Sequence, residues 1–168
     1  MQKKNGEMNA GREALTLQET QQIALEILHT VAGICEKLEL RYYLVYGTLI
    51  GAVRHYGFIP WDDDVDIMMP RPDHDRLMEY RDDHIGEYPH LQVFNRKTCP
   101  EYPYMITRIS DDRYEIRMEN EKPFGMGIFI DIYPYDGLGN TKKEAVRFGM
   151  KGDRLSSLCY QATRDHFA

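Results

Sequence analysis

A run of aspartates that feeds directly into an apolar strand sets the main constraint on this chain. Within Gly57-Phe58-Ile59-Pro60-Trp61-Asp62-Asp63-Asp64-Val65-Asp66-Ile67-Met68-Met69-Pro70, four carboxylates occupy five positions. At about 5 Å and an effective dielectric near 20, each pair of such charges repels by roughly 3 kcal/mol. A cation turns that repulsion into binding, and a divalent ion such as Mg²⁺, or Mn²⁺, takes oxygen ligands. On a strand, side chains two apart share a face. Asp64 and Asp66 therefore project together, while Val65 and Ile67 point to the buried side. Asp62 joins them only if the strand starts early, and Asp63 faces away. The competing reading is a solvated acidic loop. A calcium loop of the EF-hand type is excluded, because its spacing of acids, glycine and terminal glutamate is missing.

The rest of the chain says what surrounds this run. Its 168 residues predict one domain with a real core, and 42% hydrophobic residues place it among globular rather than disordered chains. A net charge of −6 argues against a general nucleic-acid binder, although bound metal can reverse the local sign for a phosphorylated small molecule. Cys35, Cys99 and Cys159 are odd in number and far apart, which predicts reduced thiols and a cytoplasmic setting. No apolar segment has the length or flanks of a signal peptide or a membrane span.

Residues 1 to about 14 read as a loose tail, and 15–168 as the folded domain. Thr16-Leu17-Gln18-Glu19 has the pattern of a capping box, and apolar residues from Leu17 to Leu38 recur at helical spacing. A strand over Tyr42–Tyr46, a short helix over Leu49–His55 and a strand over Val65–Met69 follow. Pro70-Arg71-Pro72 then starts a helix to about His84. Strands are predicted over Leu91–Asn95, Tyr104–Ile109, Tyr114–Met118 and Met126–Tyr133, with a hairpin turn at Ser110–Arg113 and Pro134 as a stop. Thr141 with Glu144 opens a last helix. The fold class is α+β (mixed α/β), a mixed sheet flanked by helices.

Three further pieces bear on chemistry. Gly47-Thr48 lies at a strand-to-helix junction, where a helix N-terminus suits phosphate; alone the signal is weak, and an ordinary turn is the simpler explanation. Asp131 is the one charge in Gly127-Ile128-Phe129-Ile130-Asp131-Ile132-Tyr133. A buried aspartate calls for a partner, so it is either in a structural ion pair or a third carboxylate beside Asp64 and Asp66. Arg54, Arg71 and Arg108 are candidate phosphate ligands, and Arg54 is preferred because it follows Gly47 by seven residues and is close to the acidic loop. His55 reads as loop packing, and Trp61 either stacks on a base or packs at the hinge. Together these point to phosphoryl or nucleotidyl transfer, in which metals neutralise phosphate charge and an acid takes the proton of the attacking hydroxyl.

The stretch Tyr46-Gly47-Thr48-Leu49-Ile50-Gly51-Ala52-Val53-Arg54-His55-Tyr56-Gly57-Phe58-Ile59-Pro60-Trp61-Asp62-Asp63-Asp64-Val65-Asp66 closely resembles the signature of the LicD family. Phe129-Ile130-Asp131-Ile132-Tyr133-Pro134-Tyr135-Asp136-Gly137 resembles its second motif. That family includes bacterial phosphorylcholine transferases and is related to fukutin-type ribitol-phosphate transferases. The resemblance implies a nucleotidyltransferase-like fold. It also implies Mg²⁺-dependent transfer of a phosphorylated alcohol from a CDP-linked donor to a sugar hydroxyl. The acceptor it implies is a cell-surface glycan, free or lipid-linked, such as lipopolysaccharide, teichoic acid or capsule. By position, Asp64, Asp66 and Asp131 match the metal carboxylates, and Gly47 and Thr48 the phosphate-loop pair. Members usually continue well past the second motif, so the expectation is a domain truncated at its C-terminal end. A cytoplasmic location is expected, with peripheral contact at the inner face of the membrane if the acceptor is lipid-linked. Two other readings keep the same residues: nucleotidyl transfer with pyrophosphate leaving, and nucleotide or partner binding without turnover.

Overall fold

The computed structural model describes residues 14–116 and 124–162. In chain order the elements are α1 (Leu17–Lys37), β1 (Tyr43–Leu44), α2 (Tyr46–His55), β2 (Asp66–Pro70), α3 (Arg71–Asp83), β3 (Leu91–Phe94), β4 (Thr107–Asp111), β5 (Ile128–Tyr135) and α4 (Lys142–Gln161). The expected mixed α/β architecture is present. One five-stranded sheet runs β1-β2-β5-β4-β3. β2 and β5 are parallel, and the other neighbours are antiparallel.

Alternation along the strands divides the sheet into two unlike faces. On one, Ile67, Met69, Ile109, Ile130 and Ile132 are completely buried. They form a single core with Ile27, Val31, Ile34 and Cys35 of α1 and Leu77 of α3. α1 begins where the sequence predicts, with Thr16 and Glu19 capping each other reciprocally. α3 starts directly after β2 with Pro72 in its first turn, where a missing N–H costs no helical bond. The other face carries Asp66, Asp131, Arg108 and Ser110.

Several boundaries differ from the sequence reading. β1 has two residues rather than five, because α2 begins at Tyr46. β4 starts at Thr107 and runs through Ser110 and Asp111, residues expected in a turn. Both are buried there: the Ser110 hydroxyl accepts the Gly127 N–H at 2.8 Å, and Asp111 accepts from the Arg113 guanidinium. A Cβ on Gly127 would lie 1.8 Å from the Asp111 carbonyl, so only glycine lets β5 approach this closely. The strand expected over 114–118 does not form at 114–116, where a bend follows and the Ile116 N–H bonds the Met126 carbonyl at 3.0 Å. Residues 117 and 118 lie outside the described residues, as does nearly all of the expected tail.

Pro134 does not end β5; it pairs in register with Met69. The Asp131 N–H bonds the Val65 carbonyl on the β2 side, so the N position of residue 134 faces the β4 side. β4 stops at Thr107, opposite Ile132, and no ladder bond is lost. α4 has the expected box between Thr141 and Glu144 and buries none of its described residues. Among the described residues no helix is long and apolar enough to cross a membrane.

Candidate active site

The strand register gathers charges that are far apart in sequence. Parallel pairing sets Asp66 of β2 beside Asp131 of β5, and antiparallel pairing sets Arg108 of β4 on the far side of Asp131. All three are buried, at 7%, 8% and 8% exposure. The Arg108 Nε donates to Asp131 Oδ1 at 2.7 Å. The guanidinium also lies 4.0 Å from the Phe129 ring centre and 4.6 Å from that of Tyr104. Both alternatives for Asp131 are therefore visible at once: it is in an ion pair, and it neighbours Asp66.

Asp64 precedes the formal strand, yet the alternation already holds there. Val65 is buried in the core, and its carbonyl accepts the Asp131 N–H at 2.8 Å. Asp64 is exposed, whereas Asp66 is buried. Burial and the neighbouring Asp131 push the Asp66 carboxyl up to about 6, while a hydrogen bond with Tyr133 pulls the other way. Burial, Asp66 and Asp62 raise Asp64 to about 6 as well. Burial also raises Asp131, and Arg108 opposes that rise. Tyr133 is pushed up by burial and by the charges of Asp131 and Asp66. The row thus holds more negative charge than Arg108 offsets.

Gly47 and Thr48 sit in the first turn of α2 rather than ahead of it, and both grip the acidic loop. The Thr48 hydroxyl accepts the Asp66 N–H at 2.8 Å. A Cβ on Gly47 would lie 2.5 Å from Asp62 Oδ2, so the missing side chain admits that carboxylate at the helix N-terminus. From α1, the Gln21 amide donates to the carbonyls of Asp62 at 2.7 Å and Ile59 at 3.4 Å. Tyr46 opens α2 at φ 49, an uncommon value for a bulky residue, and its ring meets Tyr133 edge-on at 5.3 Å.

The remaining candidates separate. Trp61 is 77% exposed at the turn before the aspartates, which leaves its ring open to stacking. Arg54 is exposed in the last turn of α2, with no ion pair among the described residues. Arg71 forms a two-bond fork with Asp136, at 2.9 and 2.8 Å, which ties the end of β2 to the end of β5. That fork uses the guanidinium edge that phosphate recognition would need. Sequence reasoning missed Tyr133 and Gln21. Tyr133 was within reach, two residues beyond Asp131 and so on the same face. Gln21 lies on a helix 41 residues before Asp62, and nothing local signals its contact.

Asp64 and Asp66 fit a hard divalent cation: they are adjacent oxygen donors with uncompensated charge. Among the described residues no group of three or more His, Cys, Asp or Glu could hold an ion. Mg²⁺ is commonly held through one or two carboxylates together with substrate phosphates, so a two-carboxylate set suits it.

Residues 39–153 match the family described as "LicD/FKTN/FKRP, nucleotidyltransferase domain". The lipopolysaccharide cholinephosphotransferase LicD of Haemophilus influenzae is 36% identical over 129 residues, covering 77% of this chain and 48% of that protein. The human ribitol 5-phosphate transferase FKRP is 48% identical over 42 residues, 25% of this chain and 8% of that protein. The chain thus spans less than half the length of either relative.

Proposed function

The chain belongs to the LicD/FKTN/FKRP nucleotidyltransferase-domain family, and from that premise we propose a phosphotransferase that moves a phosphorylated alcohol from a CDP-linked donor to a sugar hydroxyl. Phosphorylcholine and a lipopolysaccharide glycan are the first choices, after the Haemophilus relative, and ribitol phosphate is the next. The observation that carries this reading is the register that sets Asp66 directly beside Asp131, two residues after Asp64.

The proposed roles follow from position. Asp64 and Asp66 would hold Mg²⁺, or Mn²⁺, together with the donor's phosphate oxygens. The ion, when bound, supplies charge neutralisation on the diphosphate as CMP departs. Asp64, exposed where Asp66 and Asp131 are buried, is the carboxylate an acceptor hydroxyl can reach, and its carboxylate oxygen takes the hydroxyl proton. Tyr133 bonds Asp66 and keeps it turned to the row. Thr48 and Gly47 fix the start of the strand and the loop before it. Trp61 offers a stacking surface to the donor's base, and Arg54 is free to offset phosphate charge.

Incubating the protein with CDP-choline or CDP-ribitol, Mg²⁺ and an acceptor glycan tests the proposal through CMP release. Mg²⁺-dependent CMP is expected. Pyrophosphate from CTP instead would select nucleotidyl transfer. Full turnover in Asp64→Asn and Asp66→Asn would sink the assignment of the site.

A further inference from the structure

We propose that a cleft between Tyr104 and the C-terminal half of α4 holds a neutral sugar of the acceptor glycan, a neighbour of the sugar whose hydroxyl reacts. This rests on the phosphotransferase reading above and gives the acceptor a place on the chain. The cleft has a volume of about 300 Å³ and is lined by Tyr104, Ser156, Ser157, Tyr160 and Gln161. That is the small end of the range for ligand sites, roughly 300–1,000 Å³, and suits a single ring better than a chain of them. The four α4 residues stand at i, i+1, i+4 and i+5 and so share one face of the helix. That end of α4 is brought to the sheet by the Arg96 guanidinium, which donates to Cys159 Sγ at 3.5 Å, and by the Tyr160 ring, 6.3 Å from that of Tyr104 and tilted by 54°.

The lining points to the class of ligand. It has no charged side chain, although 29% of the chain is charged, so a diphosphate finds no cation there. Two serine hydroxyls and a glutamine amide both donate and accept, as sugar hydroxyls do. The two tyrosine rings offer apolar surface to the C–H face of a pyranose. A choline headgroup also seeks ring faces. Here, however, the Arg108 guanidinium already lies 4.6 Å from the Tyr104 ring centre, and it repels a second cation at that ring. Tyr104 also joins the cleft to the charged row: Arg108 donates to Asp131, and Asp131 pairs in register with Asp66. Two strand spacings, roughly 10 Å, separate Arg108 from Asp66. A sugar in the cleft is therefore too far away to react at the row, and a glycan that crosses β4 and β5 reaches both places.

Saturation-transfer NMR on the full chain, with methyl β-glucoside, methyl β-galactoside and choline chloride as separate probes, tests this without turnover. At least one glycoside is expected to bind with a Kd of about 1–10 mM, and choline is not expected to compete with it. Tyr160→Ala removes a ring from the cleft, and Ser157→Leu fills the space; each should weaken glycoside binding at least about fivefold. Both positions are exposed on α4, and circular dichroism checks that the variants fold. The inference is overturned if neither glycoside binds at about 50 mM, or if both variants bind as wild type does. Choline binding that Tyr160→Ala abolishes, with no glycoside binding, would give the rings to the donor's headgroup and also overturn it. In turnover with a lipopolysaccharide core oligosaccharide, both variants should raise KM for the oligosaccharide about fivefold and leave KM for CDP-choline within about twofold. A rise confined to CDP-choline would place the cleft in the donor site instead. If the wild-type chain releases no CMP from any donor, the phosphotransferase reading fails, whereas the glycoside result still decides whether the cleft takes a sugar.

Discussion

The two faces of the sheet come from alternate residues of the same strands, and they are built on opposite principles. Ile67, Ile130, Ile132 and Ile109 face the helices and are wholly buried. One residue away, Asp66, Asp131 and Arg108 form a charged row on the other side. The first face gains stability from burial, at about 25 cal/mol per Å² of apolar area. The second accepts desolvated carboxylates side by side, which costs stability in the absence of a cation. Stability and function are thus separated by a single step along each strand. Substitutions on one face should act mainly on folding, and on the other mainly on turnover.

The sharpest way to break that separation is a pair of substitutions one residue apart. Asp66→Asn should lower CMP release by at least about a thousandfold while leaving a folded protein. Its neighbour on the other face, Ile67→Ala, should cost about 3 kcal/mol in urea unfolding and little turnover per folded molecule. If Asp66→Asn unfolds the chain, or if Ile67→Ala abolishes turnover while folded, the faces are not independent.

The apolar face was legible in the sequence because alternation and helical spacing are local signals. α1, β2, α3 and the start of α4 lie where those signals put them. The parity of Asp64, Val65 and Asp66 also survived, although the strand formally begins at Asp66. The charged row was legible residue by residue but not as a row, because register joins β2 to β5 and β5 to β4 across long connections. Arg108 was one of several arginines in the sequence, and only the pairing Arg108↔Asp131 singles it out. β4 was misjudged at both ends because Ser110 and Asp111 have turn chemistry yet are buried against Gly127 and Arg113. In sequence, Gly47 and Thr48 fit either an ordinary turn or a phosphate turn. Their contacts with Asp62 and Asp66 come from how α2 packs on β2, which no short window of sequence contains.

A gentler probe of the same comparison is pH. The Asp66 carboxyl is raised to about 6 in the folded protein from an ordinary 3.8. The folded chain therefore binds more protons than the unfolded chain between those values, and its stability falls as pH rises through that window. The contribution is fully present below about pH 4 and gone above about pH 6, a difference on the order of 2 kcal/mol for this one buried group. Asp64 and Asp131 are raised as well and act in the same direction, whereas burial lowers the His74 imidazole, which opposes them by withdrawing stability as pH falls; Asp111 and Asp136 are lowered and withdraw stability only toward lower pH, outside most of this range. Urea unfolding at pH 7 and pH 5 without divalent cations should show the wild-type chain more stable at pH 5. Asp66→Asn should shrink that difference without erasing it, because Asp64 and Asp131 remain, and Ile67→Ala should leave it intact. An unchanged slope in Asp66→Asn would assign the pH dependence to other groups.

The smallest effect belongs to the joint between the strand and α2. The Val45 N–H bonds the Asp66 carbonyl at 3.2 Å, so the Asp66 N–H also faces the β1 side. β1 has ended there at Leu44, and no strand carbonyl remains to accept that N–H. The Thr48 hydroxyl, from the first turn of the following helix, takes the place of the missing carbonyl at 2.8 Å. Thr48→Val keeps the shape and removes the acceptor, which should cost about 1 kcal/mol in unfolding. Because the freed N–H belongs to Asp66 itself, the carboxylate should lose its fixed aim as well, and CMP release should fall by about tenfold. Thr48→Ser restores the hydroxyl and should recover most of both losses. A Thr48→Val chain that loses stability but keeps full turnover would show that Asp66 is aimed by the sheet alone, and that the charged face owes nothing to α2.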